Sequence, residues 1–149
     1  KAILLEDFRW RKSQIKATSL LANVIYRSAA KDKGVFETIL FENGFITEGA
    51  VSNVFCCTDN KIITPPLSEN ILPGITRKVI LEVIQDISLE YEESKIPIES
   101  FLEAEEIWIT NSTKGIIPII DLDGKKIGSG KPGEKYLKVS KAFMAKLLD

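Results

Sequence analysis

There is no histidine in this sequence. Its absence removes Ser–His and Cys–His nucleophile pairs, histidine general bases and most zinc constellations. The only two cysteines, Cys56 and Cys57, are adjacent, which argues against a disulfide framework and suits a reducing cytoplasm. No apolar run approaches the length of a membrane span, and no charged-then-apolar leader pattern opens the chain. The net charge of -1 supplies no general electrostatic reason to expect nucleic acid or an anionic membrane as partner. Chemistry in such a chain falls to lysine, carboxylates, hydroxyls, backbone amides or a cofactor.

What is present suits a soluble globular protein. A length of 149 residues fits one domain with a sizeable core, spanning residues 1–149, and is short for two. Hydrophobic residues at 44% and charged residues at 28% are ordinary for that class. The chain starts with Lys1 and enters a strand pattern almost at once, which suggests a domain cut from a longer protein.

Periodicity and turn chemistry divide the chain. Residues 2–8 read as a strand leading to the basic patch Arg9-Trp10-Arg11-Lys12. Residues 19–33 carry Leu20, Leu21, Val24, Ile25 and Ala29 at helical spacing, with Ser19 as N-cap and Gly34 as stop. Strands are expected over 35–42, 45–47, 51–58 and 61–64, with Asn43-Gly44 and Asp59-Asn60 as turns. Pro65-Pro66 ends that pairing, because neither can donate to a ladder. An amphipathic helix over 75–87 follows, then a strand over 89–96, a short helix over 98–104 and a strand over 107–110. A strand over 116–122 turns at Asp123-Gly124 into residues 125–127, and a helix over 134–148 closes the chain. Mixed strands and helices with several hairpins predict one α/β or α+β domain.

Several residues invite chemistry, and each has an ordinary structural reading beside it. Lys16 precedes a helix and would usually be a solvated surface lysine. In an apolar, electropositive pocket its neutral amine could instead form a Schiff base with an aldehyde, helped by Arg9, Arg11 and Lys12. Glu48 could be a turn carboxylate, or could keep a pyridine nitrogen protonated so that the ring acts as an electron sink. Gly74-Ile75-Thr76 could be a loop glycine and a cap, or a helix N-terminus offering free N–H groups to a phosphate. Asn111-Ser112-Thr113 is a polar turn that could close such a site; its glycosylation sequon is discounted without a secretory signal. Residues 128–133, GSGKPG, lack phosphate-loop spacing and read as a plain loop. Trp10 and Trp108 read as packing residues.

The order and spacing of these pieces resemble one family. IKATSLL around Lys16, then ITEGAVSNVF, ILPGITR and ITNSTKGIIPI, look like the C-terminal domain of the class IV, fold-type IV pyridoxal-phosphate aminotransferases. That family includes D-amino acid aminotransferase, branched-chain aminotransferase and 4-amino-4-deoxychorismate lyase. EDFRWRKSQIK with TEGAVSNVF and LPGITR is most similar to the D-amino acid enzymes. The resemblance covers essentially the whole chain. It implies a mixed sheet or pseudo-barrel flanked by helices, pyridoxal 5'-phosphate as cofactor, and amino acid and 2-oxo acid substrates. It also implies a cytoplasmic homodimer when full length, with an N-terminal domain that this chain does not carry.

By matching position, the resemblance makes Lys16 the internal-aldimine lysine and proton shuttle, and Glu48 the partner of the pyridine nitrogen. It sets Leu72 against the ring and Gly74, Ile75 and Thr76 at the phosphate. Ser112 adds a phosphate contact, the Ser112 and Thr113 amides lie near the substrate carboxylate, and Ser52 and Asn53 line the pocket less directly. The reaction implied is transamination, of a D-amino acid such as D-alanine. Branched-chain transamination, the lyase reaction and a non-catalytic ligand-binding domain are the alternatives.

Overall fold

The computed structural model describes residues 1–148. Ten strands form two five-stranded sheets. The first sheet contains β1 (Ala2–Glu6), β2 (Glu37–Glu42), β3 (Phe45–Gly49), β9 (Asp121–Leu122) and β10 (Lys125–Lys126), in the order β10-β9-β1-β2-β3. The second contains β4 (Asn53–Thr58), β5 (Lys61–Thr64), β6 (Tyr91–Glu93), β7 (Glu106–Asn111) and β8 (Gly115–Ile119), in the order β6-β5-β4-β7-β8. Each sheet mixes parallel and antiparallel pairs: β1 runs parallel to β2, and β4 antiparallel to β7.

Strand alternation sends successive side chains to opposite faces, and the buried residues sort accordingly. Ile39, Ile46, Val54, Cys56, Ile107 and Ile109 share one core cluster drawn from both sheets, so it lies between them. Phe55, Cys57 and Trp108, the alternate positions of β4 and β7, pack instead with α2 (Ile75–Asp86) and α4 (Glu134–Lys146). Phe55 and Trp108 stack there with ring centroids 5.9 Å apart. Leu40 faces α1 (Leu21–Asp32) through Tyr26. The adjacent cysteines therefore belong to different clusters, and both are free.

Turn chemistry fixes the hairpins. Asn43-Gly44, Asp59-Asn60 and Asp123-Gly124 all have positive φ at both positions, the geometry that suits the right-handed twist of the strands they join. Pro118 lies in β8, an edge strand, where its missing N–H breaks no ladder. α3 (Ile98–Leu102) buries Phe101 in the inter-sheet core, near the Phe45 end of β3.

Four sequence expectations change. Residues 116–122 are two strands, not one. β8 belongs to the second sheet and β9 to the first, so the chain switches sheets at Ile120. The strand expected over 89–96 shrinks to Tyr91–Glu93. Ser19 does not cap α1; the cap position is Leu20, and no side chain bonds there. Most consequentially, the apolar stripe of α1 faces outward: Leu20, Leu21, Val24 and Ile25 are exposed, while Tyr26 and Ala30 are buried. No helix among the described residues is long and apolar enough to cross a membrane.

Candidate active site

β3 carries a register irregularity just where it approaches its end. Ile39 pairs with Gly49 and Phe41 with Ile46, so three steps on β3 oppose two on β2. The extra residue lies at Thr47 or Glu48. A bulge of this kind re-aims a side chain at the end of a ladder. Glu48 is buried, at the end of β3 opposite α3. The chain then crosses to the second sheet through Ala50, Val51 and Ser52 and enters β4 at Asn53, which pairs with Thr110 at the end of β7.

Those strand ends, the connection from β1 to α1, and the N-terminus of α2 enclose a cleft of about 340 Å³. All ten residues singled out in the sequence line it: Lys16, Glu48, Ser52, Asn53, Leu72, Gly74, Ile75, Thr76, Ser112 and Thr113. Glu48, Ser52 and Asn53 are buried, whereas Lys16, Ile75, Ser112 and Thr113 are exposed at its surface.

Glu48 is held on both oxygens. Its Oε2 accepts from Asn53 Nδ2 at 3.0 Å and from the Leu72 N–H at 3.1 Å. Its Oε1 accepts from Arg9 Nη1 at 2.6 Å. Burial pushes the carboxyl up to about 7, with Arg9 as the main opposing influence. Arg9 attracts less than a free guanidinium would, because its Nε and Nη2 fork is given to Asp7 at 2.9 and 2.7 Å. Burial disfavours the Arg9 charge, but Asp7 and Glu48 together hold it protonated.

The opposite wall is a donor surface. α2 starts at Ile75 with Gly74 as cap and no side-chain bond to its first N–H groups. Across from it, Thr110 Oγ1 is buried without a hydrogen-bond partner among the described residues. The turn after β7 is pre-set by Asn111, whose Oδ1 accepts from the Thr113 and Lys114 N–H groups. The Thr113 amide is thus already engaged, while nothing in the turn occupies the Ser112 amide and both hydroxyls are at the surface. Two glycines keep the walls close. A Cβ on Gly74 would lie 2.2 Å from Asn53 Oδ1, and one on Gly49 would lie 2.1 Å from Ser52 Oγ. Ser52 Oγ donates to the buried Glu37 carboxylate at 2.9 Å.

Four residues in and around this site differ from their sequence reading. Arg9 is not a free cation beside Lys16 but the partner of Glu48 and Asp7. Lys12 likewise bonds Glu69 at 2.5 Å rather than facing the cleft. Asp7 carries no motif of its own, although the Asp7-x-Arg9 spacing puts two side chains on one side of extended backbone. Trp10 is 53% exposed and lines the cleft, so only Trp108 is a packing residue.

An acidic anchor at one end and an uncapped helix with an orphan hydroxyl at the other fit a ligand with a basic ring nitrogen and a phosphate. Comparison with known proteins agrees. Residues 3–122 match the family described as amino-transferase class IV. The chain is 39% identical over 147 residues to D-alanine aminotransferase of Bacillus licheniformis, covering 99% of this chain and 52% of that protein. It is 33% identical over 142 residues to D-alanine aminotransferase of Staphylococcus haemolyticus, covering 95% and 50%. Among solved structures, it superposes on the branched-chain amino acid aminotransferase of Escherichia coli with a TM-score of 0.89 and 29% identity, covering 97% and 51%. The chain spans about half the length of the curated relatives it matches. With 120 of its residues in that one match and a fold to go with them, this chain belongs to the class IV aminotransferases, a family that uses pyridoxal phosphate.

Proposed function

We propose that this chain is the C-terminal, cofactor-binding domain of a transaminase that moves an amino group between a D-amino acid, such as D-alanine, and a 2-oxo acid. The observation that carries the reading is the pairing of a buried, three-fold hydrogen-bonded Glu48 with an uncapped α2 N-terminus across one cleft. The 39% identity to a D-alanine aminotransferase supports the substrate class. A branched-chain substrate is the second reading, supported by the TM-score of 0.89 to a branched-chain enzyme.

Each residue has a distinct task in this reading. Bound pyridoxal phosphate supplies an aldehyde that takes the substrate amine and a protonated ring that accepts electrons. Lys16 would be the amine that holds the aldehyde group, and its nitrogen would move the proton of the substrate α-carbon. Glu48 holds the proton on the ring nitrogen, with Asn53 and the Leu72 N–H fixing the carboxylate that receives it. Leu72 packs on the ring. The Ile75 and Thr76 N–H groups, the Thr76 hydroxyl and Ser112 receive the phosphate, aided by the positive end of α2. Gly74 and Ser52 keep the walls at their spacing, and Thr113 lies where the substrate carboxylate enters.

The whole protein is proposed as a cytoplasmic homodimer in which a further domain covers the cleft. The outward apolar side of α1 and the exposed Trp10, Ile15 and Leu20 at the cleft support added surface here. The test is an absorbance spectrum with added pyridoxal phosphate, then borohydride reduction and peptide mapping. A visible band with the adduct on Lys16 is expected. Adducts scattered over the surface lysines of the full-length protein would overturn the assignment.

A further inference from the structure

The partners of Glu48 raise a question of charge. Asp7, Arg9 and Glu48 have side chains only 4–5% exposed, and their ion pairs are with one another. Two carboxylates facing one guanidinium leave this buried cluster with one negative charge in excess when all three are ionised. Buried charges are normally matched, because desolvation makes an uncompensated one costly.

The division of Arg9 is unequal. Asp7 takes the two-pronged edge, with Nε to Oδ1 at 2.9 Å and Nη2 to Oδ2 at 2.7 Å. Glu48 receives one bond, from Nη1. Asp7 is itself saturated, accepting also from the Arg9 backbone N–H at 3.0 Å and from Thr47 Oγ1 at 3.0 Å. The second donor use of Nη2, to the Asn70 carbonyl at 2.9 Å, fixes the guanidinium from the other side. All the excess acceptor capacity therefore sits on Glu48 Oε1, the oxygen that carries only the Arg9 bond. Burial also pushes the Glu48 carboxyl up, Arg9 opposes this, and Asp7 adds to the rise. Lys16, the other charged residue lining the cleft, is exposed and forms no ion pair with the three.

We propose that Asp7 is a positioning residue that, paired with Arg9, supplies the second negative charge of the buried cluster, so that one net negative charge remains at Glu48, matched to one cationic ring. It acts through Arg9 and does not touch the ligand. The inference rests on reading the cleft as a pyridoxal-phosphate site. It adds that the preference for a protonated ring is set by the count of charges in the cluster, and not by Glu48 alone.

The test compares two probes on the full-length protein: pyridoxal phosphate and its analogue with the ring nitrogen replaced by C–H. Both carry the same aldehyde and phosphate, so the ratio of their dissociation constants isolates the ring nitrogen. Asp7→Asn removes the charge at constant shape and should cut the preference for the nitrogen ring about tenfold, the effect expected of one nearby charge. Arg9→Lys keeps the charge count but loses the fork, and should leave the ratio within about threefold, since charge rather than geometry sets it. This second variant keeps the test decisive where Asp7→Asn does not fold. An unchanged ratio in Asp7→Asn, or a tenfold collapse in Arg9→Lys, would overturn the role given to Asp7. The Glu48→Gln control separates the two levels. If Glu48→Gln abolishes the preference while Asp7→Asn does not, only this inference fails; if Glu48→Gln also leaves it intact, the cofactor reading of the cleft fails.

Discussion

Glu48 is almost fully buried and accepts three hydrogen bonds, yet desolvation outweighs them and its carboxyl stays pushed up. The consequence is a pH dependence whose sign can be derived. With its carboxyl pushed from 4.5 up to about 7, the folded chain binds a proton that the unfolded chain has already released between those values. Stability therefore falls as pH rises from about 4.5 to about 7. The full difference amounts to about 3 kcal/mol by the usual conversion. Glu37, also raised by burial, adds in the same direction. Chemical denaturation across that range should show the decline, and Glu48→Gln should flatten most of it. A stability that climbs through the same window would contradict the burial argument. A second residue-scale prediction concerns Gly49. Its replacement by Ala puts a Cβ against Ser52 Oγ and displaces Ser52 from Glu37, leaving a buried carboxylate oxygen short of a donor. A loss of about 1–3 kcal/mol is expected. Adding Ser52→Ala should recover only the steric part, which a double-mutant cycle measures.

At the scale of elements, the two long helices flanking the cleft depart from ordinary capping for different reasons. α1 has no side-chain cap because Ser19 lies one residue too early, the cap position being Leu20. Ser19→Ala should thus change stability by less than about 0.5 kcal/mol, whereas a working cap costs about 0.5–2 kcal/mol to remove. Helix thermal melts of the two proteins decide the point. α2 is uncapped because its N-terminus faces the cleft, and the chain there is kept narrow by Gly74. Gly74→Ala drives a methyl group toward Asn53, whose amide bonds both Glu48 and the Leu72 carbonyl. Cofactor affinity should drop at least about tenfold, a penalty of about 1.4 kcal/mol, in a direct titration with pyridoxal phosphate.

For the molecule as a whole, the two sheets and four helices of the described residues leave both thiols in the interior. Cys56 lies between the sheets and Cys57 under α2 and α4, and burial pushes both up to about 12. Thiolate is the reactive form, so neither should react with a soluble alkylating agent in the folded state. Both should be modified together, at the rate of global opening, as denaturant is raised. Labelling of Cys57 well before Cys56 would mean that the helical layer detaches from the second sheet on its own. The same layering explains why α1 differs from α2 and α4. Its Tyr26 side packs on the first sheet, while Leu21, Val24 and Ile25 are exposed.

Local chemistry reached far into this protein. Asn43-Gly44, Asp59-Asn60 and Asp123-Gly124 marked their hairpins because two consecutive positive-φ positions tolerate few residue types. The ten cleft residues were legible because their types and order carry the family's motifs, and all of them line one cavity. Periodicity also located α1, yet it could not say which side of that helix faces the core. An apolar stripe ordinarily signals burial, and among the described residues this one is left exposed. Three facts required the tertiary structure. The switch of sheets at Ile120 depends on which strand edges are open, a property of the assembled sheets. The re-aiming of Glu48 depends on a register slip between β2 and β3. The charge at the cleft depends on Arg9 reaching both Asp7, two residues away, and Glu48, thirty-nine residues away. Sequence determines short-range dihedral preference and residue chemistry; the pairing of distant charges is decided only when burial removes the water that would otherwise screen them.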